Sequence, residues 1–185
     1  FKINGKPAFV KGFLKYFNKQ AKKATRFYNK IADTGVELVG IDPAMTLVYR
    51  DEYKKSLGKD VQFKVKMIQV WLVEKLPSIP AMEQLIDREF NLFNHCTEKS
   101  LSPVASDQWL QVFNHFGIKT KVTKVGCCGM SGSFGHESKN VETSKQIYGL
   151  SWKQKIKDCG VTSSMATGFS CRCQVKRMTG HTIKH

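Results

Sequence analysis

The sequence predicts an α/β protein with two pseudo-repeated lobes of parallel strands alternating with helices, the first lobe truncated and lacking cysteines. Three observations carry this reading. Short runs of β-branched and aromatic residues recur between longer stretches of helical hydrophobic period. The 185 residues are 41% hydrophobic, enough for one compact domain or two small lobes. A local pattern also recurs. Gly35-Val36, a strand and Asp42-Pro43-Ala44-Met45 resemble Gly160-Val161, a strand and Gly168-Phe169-Ser170-Cys171, with Met45 opposite Cys171 after one residue of slack. The same composition excludes a mainly disordered chain. No apolar run approaches the ~18 residues of a membrane-spanning helix. The chain opens on Phe1-Lys2-Ile3 without an initiator Met or an apolar signal segment, and is expected to be a piece of a longer polypeptide.

From Pro7 to Asp33 the residues Phe9, Phe13, Phe17, Ala21, Ala24, Tyr28 and Ile31 follow a helical period, with lysines largely opposite, so one long amphipathic helix is expected. Gly35 ends it, and residues 36–41 read as a buried strand. Asp42-Pro43 supplies an N-cap and a first-turn proline for a helix running to about Leu57. Residues 61–76 give another helical pattern through Val65, Ile68, Trp71, Leu72 and Leu76. Pro77-Ser78-Ile79-Pro80 then marks the lobe boundary, giving lobes of residues 1–80 and 81–185. In the second lobe, strands are expected at 90–95, 118–125 and 161–165, and helices at 103–116, 136–157 and 171–178.

The formal charge is +15, and residues 1–30 hold nine Lys/Arg with no acid. Such one-sidedness points to an anionic partner, a membrane surface or an acidic protein face, against the plainer reading of a solvated helix. Lys15, Lys19, Lys22 and Lys30 are expected to face outward while Phe13, Phe17 and Tyr28 pack inward. There is no Arg-rich arm, zinc-finger spacing or aromatic-Gly RNA-binding signature, so nucleic acid is not the expected partner.

All six cysteines follow residue 95: Cys96, Cys127, Cys128, Cys159, Cys171 and Cys173. A disulfide scaffold fits poorly, because the chain is larger than stapled mini-domains and its core pattern needs no staples. Paired Cys-x-x-Cys hairpins, the usual zinc signature, are missing. What remains is a set of thiolates delivered from strand ends, which selects an iron–sulfur cluster or zinc. Gly126, Gly129, Gly132 and Gly135 form a loop whose amides are candidates to stabilise an anionic cluster, besides serving turns of positive φ. His95 and His136 flank the motif as ligands, proton relays or plain neighbours. Glu98 and Glu137 read as helix-start acids, and Cys159 reads as a core filler.

His95-Cys96-Thr97-Glu98-Lys99, Gly126-Cys127-Cys128-Gly129 and Gly168-Phe169-Ser170-Cys171 together resemble the cysteine-rich CCG module of the heterodisulfide reductase B subunit and the glycolate oxidase iron–sulfur subunit. With Gly135-His136-Glu137 and Cys171-Arg172-Cys173-Gln174 added, the string is most similar to the C-terminal region of bacterial FAD-linked D-2-hydroxyacid dehydrogenases, of the D-lactate and D-2-hydroxyglutarate type. The gap from Cys96 to Cys127 is 30 residues, near the family range, and that from Cys128 to Cys171 is 42, which is long. The last element is Cys-x-Cys, with Gln174 where the module's second cysteine would stand. Residue by residue, the resemblance carries over Cys96, Cys127, Cys128 and Cys171 as metal ligands, with Cys173 out of register.

The resemblance implies a [4Fe–4S]-type iron–sulfur cluster here, FAD elsewhere in the parent chain, and flavin and ferredoxin-like domains of the same polypeptide as partners. A cytoplasmic location follows, with a quinone or a peripheral membrane surface as further partners. Electrons taken from a D-2-hydroxy acid by the flavin would leave singly through the clusters. No residue of this segment is expected to perform the hydride step. The alternative is a structural or docking domain whose metal site has decayed or holds zinc.

Overall fold

The structure, a computed structural model, describes residues 3–83 and 87–185. It is α/β, with two small parallel sheets in two compact units, Phe1–Ile68 and Gln69–His185.

The first unit begins with α1 (Lys6–Val10) and α2 (Leu14–Ala32), where the sequence suggests one helix. Gly12 adopts a positive φ of 78° and turns the chain between them. Phe13 therefore sits at the start of α2 and is 64% exposed instead of packed inward. Phe17 is buried and Tyr28 half-buried as expected, and Lys15, Lys19, Lys22 and Lys30 face solvent. After β1 (Leu38–Gly40), the Asp42 side chain accepts the Met45 N–H at 3.0 Å and starts α3 (Pro43–Arg50), a cap worth ~1 kcal/mol. α4 (Glu52–Leu57) follows, offset at Asp51.

Residues 61–67 depart from the helical period expected of them. Val61, Phe63 and Met67 are buried while Gln62 and Lys64 are exposed, an alternation of two rather than a helical spacing. The Asn29 side chain enforces it. Its amide donates to the Asp60 carbonyl at 2.8 Å, and its carbonyl accepts the Gln62 and Phe63 N–H groups at 3.2 and 3.1 Å. The extended chain enters β2 (Val65–Met67), which pairs in parallel with β1, and only then turns into α5 (Ile68–Lys75). Edge-to-face rings of Phe17, Tyr28, Tyr49, Tyr53 and Phe63 fill this unit's core.

In the second unit β3 (Phe90–Phe93) is the middle strand of a parallel sheet of order β4-β3-β5, with β4 (Thr120–Val122) and β5 (Ser164–Ala166) at its sides. The helices are α6 (Cys96–Leu101), α7 (Ala105–His115), α8 (Val141–Cys159) and α9 (Phe169–Thr179). The expected helix at 136–157 is shorter at its start, because residues 134–140 form two 3-10 turns. α6 is too short to carry an apolar stripe that would announce it. Phe93 stacks on Trp152 of α8 at 5.0 Å, and this pair anchors a core with Val125, Cys128, Tyr148 and Cys171.

The suspected repeat has a structural counterpart. Gly35 and Gly160 both take positive φ, each precedes a three-residue strand, and Met45 and Cys171 each stand third in the helix that follows. Among the described residues no helix is long and apolar enough to cross a membrane.

Candidate metal centre

The site is built at the carboxyl ends of the three parallel strands of the second unit, where α/β folds gather ligands. Cys96 opens α6 just after β3. Cys127 and Cys128 lie in the loop after β4, and Cys171 sits in the first turn of α9 after β5. Gly168 lets two of these exits touch: a Cβ there would stand 2.3 Å from His95 Cδ2.

The four thiols form a chain of contacts in which Cys96 meets Cys127, Cys127 meets Cys128, and Cys128 meets Cys171. Cys128 and Cys171 are buried, while Cys96 and Cys127 are half-buried. Their ionisations divide sharply. Cys127 is held far below the ordinary thiol range, first by Cys128 and Cys96 donating to it and then by the Gly129 N–H. Contact with Cys127 pushes Cys96 and Cys128 up, and burial adds to both. Its neighbours thus favour Cys127 as a thiolate, the form that metals bind. Among the described residues no three His, Cys, Asp or Glu groups converge in the manner of a single-ion site.

The glycines differ in what they offer. Gly129, at φ 92°, donates its N–H to Cys127 Sγ at 3.3 Å, and a Cβ there would lie 2.2 Å from the Ser144 carbonyl oxygen. Gly126 gives its N–H to Ser151 Oγ at 2.9 Å instead, and its carbonyl accepts from Trp152 Nε1 at 3.0 Å. Gly132 is an exposed turn residue at φ 65°.

His95 is buried with both ring nitrogens engaged. Nδ1 accepts the Thr97 N–H at 3.2 Å, so Nε2 carries the proton toward Ser170 Oγ at 3.3 Å. His136 is exposed in a 3-10 turn. Gln174, in the position of the module's second cysteine, is fully buried and donates to the Ser144 carbonyl and hydroxyl at 3.1 and 3.0 Å. Cys173 and Cys159 pack beside the core, and Cys159 closes α8.

Glu98 is the residue whose importance the sequence understates. It stands in the first turn of α6 as a helix-start acid should, yet it is fully buried. Gln69 and Trp109 donate to Oε1 at 3.2 and 3.1 Å, and Asn94 and Thr167 donate to Oε2 at 3.3 and 2.5 Å. Thr167 Oγ1 also accepts the His95 N–H at 2.9 Å. One carboxylate thus ties α5, α7 and the exits of β3 and β5 into a frame beneath Cys96. Its partners lie up to 69 positions away, and no local pattern announces them.

Larger proteins contain a segment that matches this chain from end to end. A D-2-hydroxyglutarate dehydrogenase of Escherichia coli K12 is 45% identical over 186 residues, which covers all of this chain and 18% of that protein. The D-2-hydroxyglutarate dehydrogenase of Pseudomonas putida is 47% identical over 186 residues with the same coverage. This chain is homologous to a segment of the bacterial D-2-hydroxyglutarate dehydrogenases. It spans about 18% of the length of these dehydrogenases. The anaerobic glycerol-3-phosphate dehydrogenase of Escherichia coli K12 has a component, its third lettered subunit, that is 23% identical over 191 residues, covering all of this chain and 47% of that component. No family model matches the chain.

Proposed function

We propose that Cys96, Cys127, Cys128 and Cys171 hold an iron–sulfur cluster through which this segment transfers electrons within a flavin-dependent D-2-hydroxyacid dehydrogenase. The observation that carries the reading is the unbroken run of thiol contacts at one end of a parallel sheet, joined to a dehydrogenase homology that covers the whole chain. Four sulfur donors suit iron–sulfur chemistry and zinc alike. The dehydrogenase homology favours the redox-active choice, since zinc would carry no electrons.

When bound, the cluster supplies one-electron transfer, which splits the two-electron couple of a flavin. The chain's own residues do the rest. Cys127 provides a thiolate, and the Gly129 N–H steadies the charge on it. Glu98 and Thr167 fix the Cys96 turn through the His95 backbone. Met130, Tyr148 and Val175 keep water from the inner side.

The substrate oxidation and its FAD belong to the remainder of the parent polypeptide. The acid-free face of α2 docks this segment on an acidic face of that remainder. Its exposed cations Lys15, Lys19, Lys22, Arg26 and Lys30 form one stripe, far more one-sided than solvation of a helix requires.

The cluster is tested by purifying the full-length protein without oxygen and assaying iron, acid-labile sulfide and zinc. The expected result is iron and sulfide in equal amounts, beyond those of a variant lacking this segment, with visible absorption that bleaches on reduction. Stoichiometric zinc with no additional iron or sulfide would replace the cluster by a structural zinc site.

A further inference from the structure

Tyr148 carries a hydroxyl that the structure leaves without a partner. The side chain is 1% exposed, and its oxygen is buried with no hydrogen-bond acceptor or donor among the described residues. Such a group is costly to bury unless something satisfies it, so its persistence calls for an acceptor that the protein atoms do not supply.

The geometry says where that acceptor lies. The loop carrying the paired cysteines runs along α8 in the reverse direction. Gly126 accepts from Trp152 Nε1, and Gly129 abuts the Ser144 carbonyl. Tyr148 is one helical turn from Ser144 and one from Trp152, on the same face, so it stands opposite Cys127-Cys128. It shares a buried cluster of side chains with Cys128 and Cys171.

We propose that the Tyr148 hydroxyl donates a hydrogen bond to a sulfide of the cluster at the metal centre and thereby raises the potential of the centre. This rests on the iron–sulfur reading above. A donor to sulfur favours the reduced form, which carries the extra negative charge. The ring packs against Trp152 at 6.4 Å, so phenylalanine can take its place with the stack intact.

The test compares wild-type and Tyr148→Phe full-length protein, both loaded with iron and sulfide without oxygen. The variant should load fully, melt no lower than wild type when metal-free, and show a more negative midpoint potential at this centre. Electron–nuclear double resonance of reduced wild type should detect a solvent-exchangeable proton coupled to the cluster, and the variant should lack it. Wild type without such a proton, or a loaded variant with unchanged potential and coupling, overturns the role of Tyr148 alone. Wild type that takes up no cluster at this site overturns both this role and the iron–sulfur reading.

Discussion

Glu98→Ala should disrupt the second unit more than any other single truncation around the centre. It removes the shared acceptor of Gln69, Trp109, Asn94 and Thr167 and leaves their donors in a dry interior. At ~1 kcal/mol or more for each orphaned donor, the loss is about 4 kcal/mol, a large part of a domain's net stability. Glu98→Gln keeps the volume but replaces one acceptor oxygen by an amide that faces donors, so it too should destabilise, though less. Denaturant unfolding followed by tryptophan fluorescence checks both, since Trp109 and Trp152 lie in this unit. A change within ~0.5 kcal/mol for the alanine variant would show that water replaces the carboxylate readily, and the frame beneath Cys96 would lose its keystone.

Reversing Lys19, Lys22 and Lys30 to Glu together should slow reduction of the electron acceptor several-fold at low ionic strength and flatten its salt dependence. All three are exposed on α2, and none contributes to the core of the first unit. Interactions between exposed charges fade beyond ~8 Å at physiological ionic strength, so added salt should slow the wild type toward the variant. The measurement is acceptor reduction by full-length protein across a salt series. An unchanged rate and salt dependence would reduce the stripe to a solvated surface. Wild-type binding to anionic vesicles that the variant loses, with turnover in solution unaffected, would move the docking partner from the polypeptide to a membrane.

The order of strands and helices was legible because strand-forming runs and helical stretches alternate along the second unit, and the parallel sheet follows from that alternation. The errors have physical causes. Residues 61–67 contain apolar side chains that satisfy a helical or an alternating period, and the Asn29 side chain, more than thirty positions upstream, decides between them. Gly12 lies within a continuous apolar stripe, although its positive φ divides the helix there. The meeting of Cys96, Cys127, Cys128 and Cys171 accords with the motif that carries the family resemblance, in which the thiols are the chemistry itself. Glu98, Thr167, Gln174 and Tyr148 were not legible, since each owes its role to neighbours that only the folded chain assembles.

Cysteine substitution decides whether Cys96, Cys127, Cys128 and Cys171 share one cluster. Full-length wild type should be compared, after oxygen-free purification, with Cys127→Ser, Cys171→Ser and Cys159→Ser by iron and sulfide analysis and by electron paramagnetic resonance of the reduced protein. The first two variants should lose the iron, sulfide and resonance of one cluster, while Cys159→Ser, at the far end of α8, should keep all three. Equal iron, sulfide and resonance in wild type, Cys127→Ser and Cys171→Ser would contradict the account.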